Sequence, residues 1–379
     1  MQHNHELEFF LDNYRRFLQE HVAPSYEEWE REKRIPREFW RTLGENGFLC
    51  VDVPESYAGY GAPIEYSLRL VQETAKAGFS ALAVGMGGQS ELVSPYIQHI
   101  GSEEQKQYWL PKMVSGEVVA AIAMTEANAG SDLQAMRTQA VLDGDEYVIN
   151  GAKTFISNGQ NADLIVLAAK TDPNAGAKGI SLFLVDASLP GVQKGRSLEK
   201  IGLHAQDTIE FFFENVRVPK SQLLGEENKG FIYLMQELPR ERLNIAFIAL
   251  GATQGAIALT QQYVQERKVF GQQLSSLQNT RFVLGQAQCK MLATNAFAQE
   301  CLQDYAMGNL TVPKVAALKC FATDTQCEVT DALLQLFGGY GYMTEYPISR
   351  FYVDARVQKI YGGTNEIMKE IVARDLVGR

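Results

Sequence analysis

Two glycine-rich segments near the end of the chain, Gln335-Leu-Phe-Gly-Gly-Tyr-Gly-Tyr342 and Ile360-Tyr-Gly-Gly-Thr-Asn-Glu-Ile-Met368, have the composition of backbone that closes on a bound ligand. Glycine has no side chain to hold a ligand away and reaches conformations that other residues avoid. Three earlier stretches carry complementary chemistry. Ala123-Met-Thr-Glu-Ala-Asn-Ala-Gly-Ser-Asp132 offers small residues and hydroxyls after an apolar run. Its amides, with Thr125 and Ser131, can hydrogen-bond a planar heterocycle or a phosphate. In Gly151-Ala-Lys-Thr-Phe-Ile-Ser-Asn-Gly159, Phe155 can pack on a flat ring while Ser157 bonds its edge. An inward phenylalanine in a β-hairpin fits the same residues. In Val264-Gln-Glu-Arg-Lys-Val-Phe-Gly271, Arg267 can pair with a pyrophosphate, Phe270 can cover an adenine, and Gly271 is expected to end a helix. The alternative there is a basic helix C-terminus matched to its dipole.

The elements that would position these residues fall into three groups. The first is helical: 6–19 sets Leu7, Phe10, Leu11, Tyr14 and Leu18 at helical spacing, 37–43 is a short helix, and 64–77 and 80–100 resume the pattern. Ser102 and Gln105 form a capping box for a helix that ends near Ser115. Strands follow at 118–125, 147–149, 154–156, 164–168, 180–185 and 208–213, with Asn150-Gly151 as a hairpin turn. A polar, glycine-bounded hinge spans 225–230. Helices return at about 231–266, 275–306, 311–337 and 364–376, a spacing that suits a bundle. The expected fold is mostly α with a middle β-domain: 1–117 helical, 118–224 a small antiparallel β-domain, 225–379 a helical bundle.

Composition narrows the function classes. A chain of 379 residues with 46% hydrophobic and 21% charged residues can bury a large core. A net charge of −10 argues against a nucleic-acid partner. Five cysteines without a Cys-x-x-Cys pair argue against a disulfide framework or structural zinc and for a reducing compartment. The five histidines show no ligand-spaced pair beyond His3 and His5, read as a solvated tail, so no metal site is expected. The first residues lack the basic and apolar runs of a signal or transit peptide, so a cytoplasmic location is expected. The most apolar stretch, 245–259, is short for a membrane span and reads as a buried helix rather than a membrane insertion.

Taken together and in order, the five stretches resemble the acyl-CoA dehydrogenase family over essentially the whole chain. The resemblance implies an N-terminal helical domain, a middle β-domain and a C-terminal four-helix bundle. It implies FAD as cofactor and oxidation of an acyl-CoA thioester to the trans-2-enoyl form. Ile122, Ala123, Met124 and Thr125 resemble the segment lining the flavin ring, and Ser131 the hydroxyl that also meets the CoA side. Phe155, Ile156 and Ser157 resemble the second flavin wall, where many members carry tryptophan in place of Phe155. Arg267, Phe270 and Gln278 resemble FAD contacts. So do Gln335, Gly338 and Gly339, a stretch that in the family reaches the FAD of a neighbouring subunit. Thr364, Asn365 and Glu366 resemble the phosphate-side contact, and Arg242, Gly362 and Gly363 resemble substrate-side positions.

One departure is chemically decisive. Most of the family carries its catalytic glutamate where this chain has Gly362; the long-chain and isovaleryl branches place it where this chain has Glu241. Its neighbours Glu237, Arg240 and Arg242 alone would make Glu241 an exposed helix glutamate. The resemblance makes it the α-proton base, with Pro239 suited to the first turn of its helix. Glu366 is the rival base. The β-hydrogen would leave as hydride to the flavin, and the thioester carbonyl would be held by the Gly362 N–H and a flavin hydroxyl. An apolar acyl tunnel would expel water and raise the carboxylate pKa.

The segments 180–186, 204–208, 225–230 and 361–369 look like the long-chain members. Gly85-Met-Gly-Gly-Gln-Ser-Glu-Leu92 resembles the helix at the base of the acyl pocket. Glu91 departs from the small uncharged residue expected there; it would face solvent, close the tunnel or meet a polar or branched tail. The implied partners are an acyl-CoA substrate and an electron-transfer flavoprotein, in a homotetramer. The competing readings are an acyl-CoA oxidase, whose members usually carry a further helical domain, and a degenerate binder of FAD or acyl-CoA without turnover.

Overall fold

The computed structural model describes residues 2–378, with side chains from residue 5 onward, so the side chain of His3 lies outside the described residues. Helix α1 (Gln2–Phe17) continues through a π-helical turn (Leu18–Val22) and is followed by α2 (Tyr26–Glu32) and α3 (Arg37–Glu45). Then come α4 (Ile64–Lys76), α5 (Ser80–Gly87) with a π-helical segment (Gly88–Val93), α6 (Ser94–Ile100) and α7 (Glu103–Val114). The expected capping box starts α7: Ser102 accepts from the Gln105 N–H, and the Gln105 side chain accepts from the Ser102 N–H.

The strands are β1 (Ala120–Ala123), β2 (Gln139–Asp143), β3 (Glu146–Ser157), β4 (Leu164–Lys170), β5 (Ile180–Asp186), β6 (Val192–Lys194), β7 (Thr208–Pro219) and β8 (Leu223–Leu224). They form one sheet in the order β6-β7-β3-β2-β4-β5-β8, with β1 added beside β4. The sheet is mostly antiparallel, but β1 runs parallel to β4, as does the single pairing of β2 with it.

The Asn150-Gly151 hairpin expected from the sequence is corrected here. β3 runs through both residues, and the β2–β3 turn lies at Gly144 and Asp145. Asn-Gly instead marks a register shift against β7, where Asn150 exchanges hydrogen bonds with Asn215. Gly151 is required because a side chain would meet Thr138 Oγ1 at 2.4 Å.

Helix α8 (Gly230–Glu266) leads into a small hairpin, β9 (Lys268–Val269) and β10 (Gln272–Gln273). It is followed by α9 (Gln278–Ala306), α10 (Val312–Gln335), α11 (Pro347–Ala355) and α12 (Asn365–Val377). Two expectations fail in this region. Pro239 lies inside α8, not in its first turn; the helix continues past the one missing N–H. Gly271 does not end α8, which stops at Glu266. Phe270 and Gly271, at φ +49° and +79°, form the two-residue turn between β9 and β10.

α8 is apolar nearly all round, and every side chain from 240 to 253 is buried. By length and composition it is the one helix among the described residues able to cross a membrane, but 83% of its most apolar window is buried within the protein. Gly251 and Gly255 let α4 approach it: side chains there would come within 2.1 Å of the Gln72 carbonyl oxygen and 2.2 Å of that of Lys76. Helices from both ends of the chain share one core that includes Tyr14, Trp40, Leu68, Phe247, Leu318 and Phe351. The framework around α8 is therefore stiff, and that is what holds the polar side chains described next.

Candidate active site

The ends of β1 and β3 are tied together by buried polar groups. The Thr154 N–H donates to the Thr125 carbonyl at 2.9 Å. Lys153, fully buried, donates to the Met124 carbonyl at 2.9 Å and to Glu126 Oε1 at 2.8 Å. Glu126 in turn accepts from the N–H groups of Arg137 and Thr138. Burial pushes the Lys153 ammonium down to about 8, against the pull of Glu126. Sequence reasoning missed this pair; the only signal was a lysine and a glutamate inside otherwise apolar strand ends.

Past Lys153 the register of β3 against β7 shifts, and Phe155 takes φ +59° with its ring 67% exposed. A left-handed conformation is strained for a bulky residue and marks a site where the chain gains something from it. Ser157 is also exposed, whereas Ile156 and Ala123 are buried in the sheet core. Their side chains face away from Phe155, which leaves only backbone to a ligand. Thr125, Ile122 and Met124 are half-buried, and Ser131 is exposed.

A second group surrounds Glu241. Its carboxylate is buried, and Oε2 has no hydrogen-bond partner. Burial pushes it up to about 7, against the pull of the Arg242 and Lys319 charges. The reading of Glu241 as an exposed helix glutamate is therefore corrected: α8 is enclosed on all sides at this point. Arg242 is also buried, with Nε and Nη1 unpartnered. Gly362 and Gly363 take φ +65° and +88°. A side chain on Gly362 would begin 3.4 Å from Glu241 Oε1 and 2.3 Å from Ile245 Cδ1. The Gly362 N–H has no partner among the described residues. We expect Gly362→Ala to lose about 1–2 kcal/mol from left-handed strain, more if Ile245 does not yield. An unchanged melting temperature would contradict this.

The loop is held from behind by α10. Lys319, fully buried, donates to the Gly363 carbonyl and to Asn365 Oδ1. Asn365 Nδ2 donates to Thr323 and Asp324. The Asn365 side chain is thus committed to α10 and, like Ile156, has only backbone for a cofactor. Thr364 caps α12 by accepting from the Ile367 N–H. Glu366 is exposed in the first turn, where its own backbone N–H and the Thr364 hydroxyl hold its carboxyl below the usual range. That is the opposite of Glu241.

Glu91 is buried and ion-paired, so it does not face solvent. Arg240 Nε donates to it at 2.9 Å, Arg240 Nη2 pairs with Asp52 at 2.7 Å, and Ser67 also donates to Glu91. One turn away, Glu237 bonds His99 at 2.8 Å.

Arg267, Gln335, Gly338 and Gly339 line a third region, a cleft of about 440 Å³ with Tyr263 and Tyr340. Arg267 forms no ion pair among the described residues and lies over the Tyr340 ring at 5.4 Å. Phe270 is 94% exposed at the tip of the adjoining hairpin, and Gln278 opens α9 on the surface. Among the described residues no hydrogen bond or ring contact links this cleft to the Thr125 and Phe155 group. The described residues contain no cluster able to hold a metal ion.

Residues 4–117, 121–216 and 228–377 match the family models for the N-terminal, middle and C-terminal domains of acyl-CoA dehydrogenase. Long-chain specific acyl-CoA dehydrogenase, mitochondrial, of Sus scrofa is 46% identical over 374 residues, covering 98% of this chain and 86% of the relative. Isovaleryl-CoA dehydrogenase, mitochondrial, of Pongo abelii is 34% identical over 363 residues, covering 95% and 86%. The crystal structure of acyl-CoA dehydrogenase from Geobacillus kaustophilus matches with a TM-score of 0.96 at 47% identity, covering 98% of each chain.

Proposed function

Because the chain belongs to the acyl-CoA dehydrogenase family, we propose that it dehydrogenates long-chain acyl-CoA thioesters, with Glu241 as the base that takes the α-proton. Acyl-CoA dehydrogenase activity with FAD is the family property. The chain-length preference and the base are our reading. The observation that carries it is the convergence of Glu241 and Gly362. A carboxylate that reaches to 3.4 Å from the side-chain position of Gly362 fills the space where most of the family keeps its base. No other carboxylate is among the atoms nearest that position, and Glu366 is exposed and held in its ionised form.

The residues present fit FAD. Phe155 offers an exposed ring on a strained bulge, and Thr125 and Ser157 stand beside it with hydrogen-bonding hydroxyls. Arg267 is an unpaired cation beside two glycines, Gly338 and Gly339, whose missing side chains leave open space. When bound, FAD supplies the acceptor for the β-hydrogen as hydride. The chain's own groups do the rest. Buried and near neutral in pKa, Glu241 changes protonation at working pH. The free Gly362 N–H donates to the thioester carbonyl, which acidifies the α-carbon. Arg242 beside Glu241 stabilises the charge that the carboxylate carries before it takes the proton.

The separation of the Arg267–Gln335 cleft from Phe155 supports an oligomer in which one copy's cleft serves the FAD of a neighbour, in a homotetramer. An electron-transfer flavoprotein is the proposed acceptor. Similarity to the long-chain enzyme of Sus scrofa supports a long acyl chain. The test is kcat/KM for straight-chain acyl-CoAs from butyryl to palmitoyl, with isovaleryl-CoA alongside. We expect it to rise toward the long chains; a maximum at butyryl- or isovaleryl-CoA would overturn the substrate reading. Oxygen consumption matching turnover would favour an oxidase, and bound FAD without turnover a degenerate binder. Since kcat/KM follows the free enzyme, it should fall tenfold per pH unit below about 7, where Glu241 holds its proton. A profile flat to pH 5 would remove Glu241 from the role.

A further inference from the structure

Lys319 belongs to none of the motifs that mark the cofactor and substrate sites, yet it is among the largest fully buried side chains of the protein. Its ammonium reaches out of α10 to the Gly363 carbonyl at 2.8 Å and Asn365 Oδ1 at 3.0 Å. Gly362 and Gly363 are both left-handed, and two glycines in series lose more conformational freedom than any other pair when fixed. Among the described residues no other side chain bonds their carbonyls, so Lys319 is the side chain that fixes this pair. We propose that Lys319 is a positioning residue for the dehydrogenation. It clamps the Gly363 carbonyl so that the Gly362 N–H stays aimed at the thioester, and its positive charge eases the ionisation of Glu241. This rests on Glu241 being the base.

The surrounding charges favour that assignment. On α10, Cys320 and Asp324 face Lys319, but Asp324 is already paired with Lys359 at 2.6 Å. From α8, Arg242 and Glu241 face it, and from the loop the Gly363 carbonyl and Asn365. Glu241 is the one carboxylate in this set without an ion pair of its own; burial pushes its pKa up, and the charges of Arg242 and then Lys319 pull against that. Burial pushes Lys319 down to about 8, so the clamp is charged at neutral pH and loses its proton in mild alkali.

The experiment is the rate of anaerobic FAD reduction by palmitoyl-CoA across pH in wild type, Lys319→Gln and Glu241→Gln, with FAD content and melting temperature recorded for each. In wild type we expect an acid limb near pH 7 and an alkaline limb near pH 8. Lys319→Gln should keep its FAD, lose the alkaline limb and reduce FAD about ten- to a hundredfold more slowly. Its acid limb should move up by about one pH unit, because a cation near the carboxylate is gone. A residue that only supports the fold would lower the melting temperature or FAD content and leave both limbs in place; that result overturns the proposal. If Lys319→Gln does not fold, Lys319→Arg decides: a guanidinium stays charged to about pH 10, so the variant should keep the acid limb and lose the alkaline one, and an alkaline limb unchanged from wild type overturns the proposal. Retained FAD reduction in Glu241→Gln would sink the base assignment instead, whereas an inactive Glu241→Gln beside an unshifted Lys319→Gln would sink the clamp alone.

Discussion

Glu241→Gln is expected to lose turnover by about two to four orders of magnitude, the usual contribution of a general base, and at the same time to become more stable above neutral pH. The second effect follows from the first group's burial. The folded protein raises the Glu241 carboxyl to about 7, from 4.5 for an ordinary glutamate. Between those values the unfolded chain releases its proton while the folded chain keeps it, so rising pH favours unfolding across that window. Above pH 7 the full penalty is present, roughly 3 kcal/mol for a shift of this size, and glutamine does not bear it. Below pH 4.5 both states are protonated, and the difference between wild type and variant should vanish. Thermal melts at pH 5 and pH 8 check this: the gain should appear chiefly at pH 8. A variant equally stabilised at both, or destabilised at pH 8, would mean that the carboxylate is satisfied by a partner.

Arg240→Met is the second large effect, expected on stability first. One guanidinium neutralises two carboxylates, the buried Glu91 and the half-buried Asp52, and Asp52 Oδ1 already lacks a partner. Removing one member of a buried ion pair typically costs about 3–5 kcal/mol, because the charge left behind has neither water nor a counter-ion. The loss should shrink at low pH, where the orphaned carboxylates take protons. The triple variant Asp52→Asn, Glu91→Gln, Arg240→Met should recover much of it, since no net charge is then stranded. Denaturant unfolding at pH 5 and pH 8 measures both claims. A loss below about 1 kcal/mol at pH 8 would show that water reaches the pair as at an exposed one. Arg240 precedes Glu241 on α8, so the same network helps set the rotation of the helix that carries the proposed base.

Much of this arrangement was legible in the residues. Ser102 and Gln105 state their capping box outright, and the apolar run of α8 shows a helix enclosed on every side. The glycine pair at 338–339 marks a place where backbone leaves room, and the pair at 362–363 one where left-handed backbone is packed too closely for a side chain. What the sequence hid depends on long-range geometry. Asn150-Gly151 has the composition of a hairpin turn, but β7 runs alongside and absorbs it as a bulge. Pro239 looks like a helix start because one missing N–H is invisible in a helix packed on all sides. Ile156 and Asn365 sit inside motifs whose backbone alone remains free, since strand alternation turns one inward and α10 captures the other. Lys153, Lys319 and the Glu91–Arg240–Asp52 network could not be singled out by spacing, because their partners come from distant parts of the chain. A lone lysine in an apolar run is the only local hint such groups give.

The most direct test of the central claim is anaerobic bleaching of bound FAD by palmitoyl-CoA, comparing wild type with Glu241→Gln at equal FAD content. Wild type should bleach, and the variant should retain its FAD and remain oxidised over the same interval. Bleaching of the variant at the wild-type rate would show that another group takes the α-proton, and the convergence of Glu241 on the side-chain position of Gly362 would then lose its catalytic meaning.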